Sequence, residues 1–222
     1  MPHSSSEVTT AEAPEATGTD ADVEVAEERF PRLVPWLLVV GGALGLVAAF
    51  VLTVEKIALL KDPDYVPSCS INPILSCGSV MSTPQAEAFG FPNSLIGVAA
   101  FAVVVTVGVA RLAGASLPRW FWLGMQLGTA FGVVFVHWLI VQSLYRIGAL
   151  CPYCMVVWAV TVPIFWYVTV HNLERRHLPV PRGVRRVVTA VVDYHSVPVI
   201  AWFFVIAGLI VVRFWSFWVT LL

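Results

Sequence analysis

Five stretches of this chain are apolar for long enough to cross a bilayer, and nothing else in it constrains the fold as tightly. They run from about Leu33 to Leu60, Ser94 to Leu112, Trp120 to Tyr145, Cys151 to Val170 and Val197 to Val219. A helix rises about 1.5 Å per residue, so about 20 residues cross the roughly 30 Å hydrocarbon core. Backbone amides find no water there, and isolated strands leave theirs unpaired. The expected fold is therefore an all-α integral membrane protein with five transmembrane helices. Only 12% of the 222 residues are charged, against about 25% in soluble domains. The net charge of −1 gives no reason to expect a nucleic-acid partner. Gly41, Gly42 and Gly45 in the first span permit close helix packing, as in an ordinary bundle.

The chain divides into residues 1–32, a tail, and 33–222, the five-helix domain. Met1 to Glu28 is rich in Ser, Thr, Ala, Pro and acidic residues and nearly devoid of large apolar side chains. Such a segment cannot bury enough surface to offset its ordering entropy, so it reads as a disordered acidic tail. It lacks the basic-then-apolar pattern of a cleavable signal peptide. Basic residues set the orientation. Arg29, Arg32, Arg111, Arg119, Arg175, Arg176, Arg182, Arg185 and Arg186 fall on the N-terminal side of the membrane; Lys56, Lys61, Arg146 and Arg213 fall on or near the other. The positive-inside rule places the N-terminus in the cytoplasm and residues 61–93 and the turn 147–150 outside. Trp36, Trp120, Trp122, Trp202, Trp215 and Trp218 lie near span ends, where an interfacial aromatic belt is expected.

That orientation gathers all four cysteines at the outer face. Cys151-Pro152-Tyr153-Cys154 opens the fourth span. Residues three apart share a helix face, so the two thiols can meet. Pro152 suits the first helical position, which makes Cys151 the N-cap and puts Cys154 in the first turn. Unpaired amides and the helix dipole there favour a thiolate, the form that attacks disulfides. Cys69 and Cys77 flank a polar segment in loop 61–93 that is mobile by composition and free to swing between a soluble partner and the Cys151/Cys154 pair. Ser82 or Thr83 before Pro84 predicts a short helix to about Ala88, lying at the interface and partly covering the site. Two structural disulfides are one alternative. A four-cysteine zinc site is another, although its spacing is not a familiar zinc pattern.

The ordered set Cys69-x7-Cys77, Ser82-Thr83, Gly90-Phe91-Pro92-Asn93-Ser94-x2-Gly97 and Cys151-x2-Cys154 resembles the vitamin K epoxide reductase family, over about Leu33 to Val170. The resemblance implies a four-helix bundle around a quinone, with loop and half-helix as a lid and a fifth helix as in bacterial members. It implies that Cys151 and Cys154 are the active-site pair and Cys69 and Cys77 the shuttle pair, with Cys154 beside the quinone. Asn93 matches a family asparagine that bonds a quinone oxygen, and Thr83 or Ser82 matches a hydroxyl residue near the loop. Trp158 stands where some members have a quinone-contacting tyrosine. The implied activity is thiol–disulfide oxidation in the cell (inner) membrane. A separate DsbA-like thioredoxin-fold protein is reoxidised, and electrons pass to a quinone (menaquinone or ubiquinone). The competing functions are a quinone-epoxide reductase and a non-enzymatic membrane anchor or assembly protein with two structural disulfides.

His137, in mid-span, is either a site residue or a satisfied packing residue. Gln126 reads as interhelical glue. Gln142 and Tyr145 are candidate pocket residues. Glu55 and Lys56, near the outer end of the first span, are expected to snorkel to the surface. The Arg175–Arg186 cluster reads as a topology signal that can also meet anionic lipid.

Overall fold

Alternating runs of about 20 apolar residues and short polar turns can satisfy their backbones only as helices packed side by side. The computed structural model describes residues 32–178, 183, 185–215 and 219. Its helices are α1 (Leu33–Lys61), α2 (Cys77–Met81), α3 (Asn93–Leu112), α4 (Arg119–Val141), α5 (Pro152–Glu174), α6 (Arg185–Asp193) and α7 (Ser196–Arg213). A 3₁₀ turn spans Pro84–Glu87, and α4 runs on through a wider π turn at Gln142–Ile147. Among the described residues there is no strand, only an isolated parallel bridge between Leu75 and Leu150. The five long helices α1, α3, α4 with its extension, α5 and α7 are each long and apolar enough to cross a membrane. The expected tail lies outside the described residues apart from Arg32, as do Arg182 and Trp218.

α1 packs along α3 and α5, and α5 packs on α4. The buried face of α1 recurs every three or four residues through Leu38, Gly41, Gly42, Gly45, Ala48, Ala49 and Leu52. Its small residues let α3 approach backbone to backbone. A Cβ on Gly108 would lie 2.8 Å from the Val39 amide nitrogen. Phe101, Val104, Trp122, Met125, Ile164 and Val168 fill the centre.

Polar side chains inside the bundle are paired with one another. Gln126 Nε2 donates to Thr169 Oγ1 at 2.9 Å, and its Oε1 accepts from Asn172 Nδ2 at 3.1 Å, joining α4 to α5. His137 Nε2 accepts from Trp202 Nε1 at 2.9 Å. The other ring nitrogen, Nδ1, lies 2.8 Å from the Val133 carbonyl, so the proton sits there. His137 thus packs α7 against α4. Arg213 Nε donates to the Leu144 carbonyl at 2.8 Å, a second tie on the same helix.

Trp122 departs from the aromatic-belt expectation. It is buried, its ring centroid 3.9 Å from that of His171, and its carbonyl accepts from Asn172. One turn into α4, it faces the core rather than the headgroups. Trp36, Trp120 and Trp215 are exposed, as a belt requires.

The α1–α3 contact has a direct test. Gly108→Ala is expected to cost about 1–3 kcal/mol, because the added methyl meets backbone rather than a flexible side chain. Gly208→Ala, with open space around it, is expected to be neutral. Thermal midpoints of the two variants in detergent make the comparison, and equal midpoints would refute the close-packing account.

Candidate active site

The active-site turn is built by an unusual approach to α5. The π turn closes at Gly148, whose φ of +71° strains any side-chain-bearing residue. The Gly148 amide donates to the Ser143 carbonyl, and Ser143 Oγ donates to the Ala149 carbonyl. Cys151 then takes an extended conformation as N-cap of α5, with Pro152 in the first turn, and accepts the Cys154 amide at 3.5 Å. This is the capping expected from the Cys-Pro-Tyr-Cys sequence.

Loop 61–93 is docked on this turn rather than hanging free. The Leu150 amide donates to the Ile74 carbonyl at 2.7 Å, and the Ser76 amide donates to the Leu150 carbonyl at 2.9 Å. Asn72 Oδ1 accepts the amides of Ile74 and Leu75, which shapes the bend before them. Ser76 caps α2 by accepting the Ser79 amide. Polar composition suggested a swinging loop; its backbone instead finds partners on the rim of the bundle.

The result brings the two cysteine pairs together. Cys69 and Cys77 are joined in a disulfide, while Cys151 and Cys154 are thiols. Cys77 Sγ lies 3.0 Å from Cys151 Sγ, and both residues are fully buried. The sulfurs of Cys69, Cys77 and Cys151 lie within 4.8 Å of one another. In this redox state two of them are committed to each other rather than to a ligand. The helix-terminal stabilisation falls on Cys151, not on Cys154 as the sequence suggested. Cys151 Sγ accepts the Cys154 amide at the first turn of α5. A sulfur at the N-cap sees first-turn N–H groups that a sulfur three residues later has already passed.

The C-terminal end of α1 grips the loop from two sides. Glu55 accepts hydrogen bonds from Tyr65 Oη at 2.9 Å and from the Ser68 hydroxyl and amide, next to Cys69. Lys56 Nζ donates to the Met81 carbonyl at the end of α2 and pairs with Glu87 Oε1, each at 2.8 Å. Both residues are buried, at 7% and 8% exposure. The snorkelling expected of them is thus corrected: they continue the buried stripe of α1, and the loop supplies their partners. Glu55 and Lys56 are the site-forming residues that sequence reasoning missed, although their three- and four-residue spacing from Leu52 was visible.

Behind the cysteines lies a cavity of about 500 Å³ between α3 and α4, floored by α1 and α5 and roofed by the 3₁₀ turn. Its wall is apolar, with a few polar side chains that include Lys56, Thr83, Asn93, Ser94 and Gln142. Cys154 lines it, and Cys151 does not. An apolar pocket with few polar side chains on its wall fits a flat quinone head with an apolar tail.

The expected ligand contacts are placed unequally. Trp158 is buried and lines the cavity. Thr83 lines it while donating to the Val80 carbonyl. Asn93 lines it, its Nδ2 donating to the Gln85 carbonyl and its Oδ1 accepting the Ala88 amide, so that it ties the half-helix down. Ser82 is exposed, donates to the Gly78 carbonyl and is not part of the wall. Gln142 lies on the wall; Tyr145 points away and is exposed.

The family model described as the vitamin K epoxide reductase family matches residues 36–169. No curated protein matches the chain.

The grip of α1 on the loop can be measured. Glu55→Ala removes the bonds to Ser68 and Tyr65 and is expected to let a small dithiol reduce Cys69–Cys77 several-fold faster. Timed alkylation followed by peptide mass analysis reads this. A wild-type rate would show that the Cys69 arm is held elsewhere.

Proposed function

The chain belongs to the vitamin K epoxide reductase family, and on that premise we propose that it is a disulfide oxidase linked to a membrane quinone. The family implies a multi-pass membrane disulfide oxidoreductase. The finer reading is that a separate extracytoplasmic DsbA-like thioredoxin-fold protein supplies the electrons and menaquinone or ubiquinone accepts them. One observation carries it: in the Cys151/Cys154 pair, Cys151 touches the loop cysteine Cys77, while Cys154 lines the apolar cavity.

The exchange follows from which sulfurs are neighbours. A partner thiolate attacks Cys69 in the Cys69–Cys77 bond, and Cys77 leaves as thiolate. The partner's second thiol resolves the mixed disulfide, leaving Cys69 and Cys77 reduced and the partner oxidised. Cys77 then attacks Cys151 in a Cys151–Cys154 disulfide, and Cys154 leaves. Cys69 attacks Cys77, re-forming Cys69–Cys77 and releasing Cys151. The product has the bonding found here, with Cys69–Cys77 closed and the other pair reduced. As N-cap of α5, Cys151 faces the first-turn amides, which suits it to leave as thiolate in that last step.

A bound quinone supplies an acceptor for two electrons and two protons. Asn93, Thr83 and Trp158 are the side chains proposed to hold its head. Ser82, off the wall, is not carried into that role. Cys154 lines the cavity, and in the proposed cycle Cys151 closes onto it as the pair is oxidised. The cavity's apolar wall excludes water, which protects the exposed thiol from side reactions. The proposed orientation keeps the N-terminus in the cytoplasm and both the cysteines and the C-terminus outside.

The test is the thiol state of all four cysteines in purified protein. A reduced thioredoxin-fold dithiol is added with and without a soluble quinone. The expected outcome is reduction without quinone, reoxidation with it, and loss of quinol formation in Cys154→Ala. If both pairs ignore the dithiol and no quinol forms, the bridges are structural and the proposal fails.

A further inference from the structure

Lys56 carries the only charged side chain lining the cavity among the described residues. It stands one turn beyond Leu52, which packs in the same cluster as Cys77, Met81 and Cys151, with Cys154 against it. Its side chain is 10% exposed, and Nζ is fixed by the Met81 carbonyl and by Glu87 at 2.8 Å each. The ammonium is therefore immobilised at the cysteine end of a pocket whose wall is otherwise neutral. The Met81 bond alone does not require a charge on that wall, because a neutral donor also bonds a carbonyl; the charge is met on the loop side by Glu87.

We propose that Lys56 is a ligand-facing cation of this cavity, which favours negative charge on the oxygen of a quinone-shaped ligand. The inference rests on the quinone-linked reading and deepens it. Oxidising the Cys151/Cys154 pair releases two electrons and two protons, and a quinone takes up both. Electrons that enter an apolar cavity ahead of their protons bring uncompensated negative charge, which is costly where water is excluded. A fixed cation beside the acceptor offsets that charge without having to reorganise. Glu87 serves as counter-ion in the resting state. At 37% side-chain exposure it is better solvated than Lys56, so water screens it more and leaves the ammonium the stronger field on the cavity side.

Two naphthoquinones of similar shape separate charge from fit. 2-Hydroxy-1,4-naphthoquinone is an anion at neutral pH, and 2-methyl-1,4-naphthoquinone is neutral. Binding is followed by tryptophan quenching, since Trp158 lines the cavity, in protein with both disulfides closed so that no turnover occurs. Lys56→Met is expected to lose about tenfold or more in affinity for the anion, as a buried charge-assisted contact disappears, and less than threefold for the neutral compound. Lys56→Arg is expected to restore the preference. Lys56→Gln keeps a donor for the Met81 carbonyl and decides the matter if the Met variant does not fold. In a second arm, Lys56→Met and Lys56→Gln, the latter keeping a donor for the Met81 carbonyl, each slow quinol formation on the order of 10²-fold.

Equal loss of both ligands, or quinol formation at the wild-type rate in Lys56→Gln, overturns the inference and leaves Lys56 a clamp only. Unchanged anion affinity overturns it too. Wild-type protein that binds neither compound and forms no quinol overturns the quinone-linked reading itself. Wild type that reduces 2-methyl-1,4-naphthoquinone keeps that reading whatever the variants do.

Discussion

Disulfide exchange requires two sulfurs in contact and in line, and the 3.0 Å approach of Cys77 to Cys151 is the constraint on which the rest of the cysteine end of the bundle depends. The two cysteines are separated by 73 residues and two membrane crossings. Nothing local can hold them together. The work is divided among three elements that each fix one degree of freedom. The bridge at Leu75 and Leu150 sets the register of loop against turn. Ser76 caps α2 and so aims Cys77. Glu55 and Lys56 pin the two arms of the loop to the end of α1. All three use backbone or charged hydrogen bonds, which are directional in a way that apolar packing is not.

The bundle beneath has a complementary task. α1 and α3 meet backbone to backbone through Gly42 and Gly108, and α5 lies along α1 and α4. α3 and α4 are therefore left on either side of the cavity instead of filling it. Close packing on one side creates space on the other. The polar groups of the bundle are spent at its far end, where Gln126, Thr169, Asn172 and His177 satisfy one another. The cavity end keeps few polar side chains, and several of these are already engaged in holding the lid.

Much of this was legible in the sequence, for reasons that can be named. Span positions follow from the length of apolar runs, because a bilayer imposes one length scale and one hydrogen-bonding solution. The Cys151 cap and the half-helix at Pro84 follow from local rules about proline and N-caps. Glu55 and Lys56 were misread because the snorkelling rule treats a long charged side chain near a span end as solvent-facing. Their position on the buried stripe of α1 argued the other way, and an acidic residue within an apolar span is itself a sign of an internal partner. Trp122 was misread by the same kind of positional rule, which ignores the face a residue occupies. Loop 61–93 was read as mobile because composition reports solvation, not the partners that a distant turn provides.

By itself, then, the sequence determined the five spans, the gathering of four cysteines at one end, the cap of α5 and the membership of the family. Those depend on lengths, periods and adjacent residues, which are local quantities. Only the tertiary structure decided that Cys77 rather than Cys69 contacts Cys151, that Cys154 rather than Cys151 lines the cavity, and that a lysine stands on its wall. Each of these compares two residues of similar local character. The choice between them is made by packing between segments far apart in the chain, which no window of sequence contains.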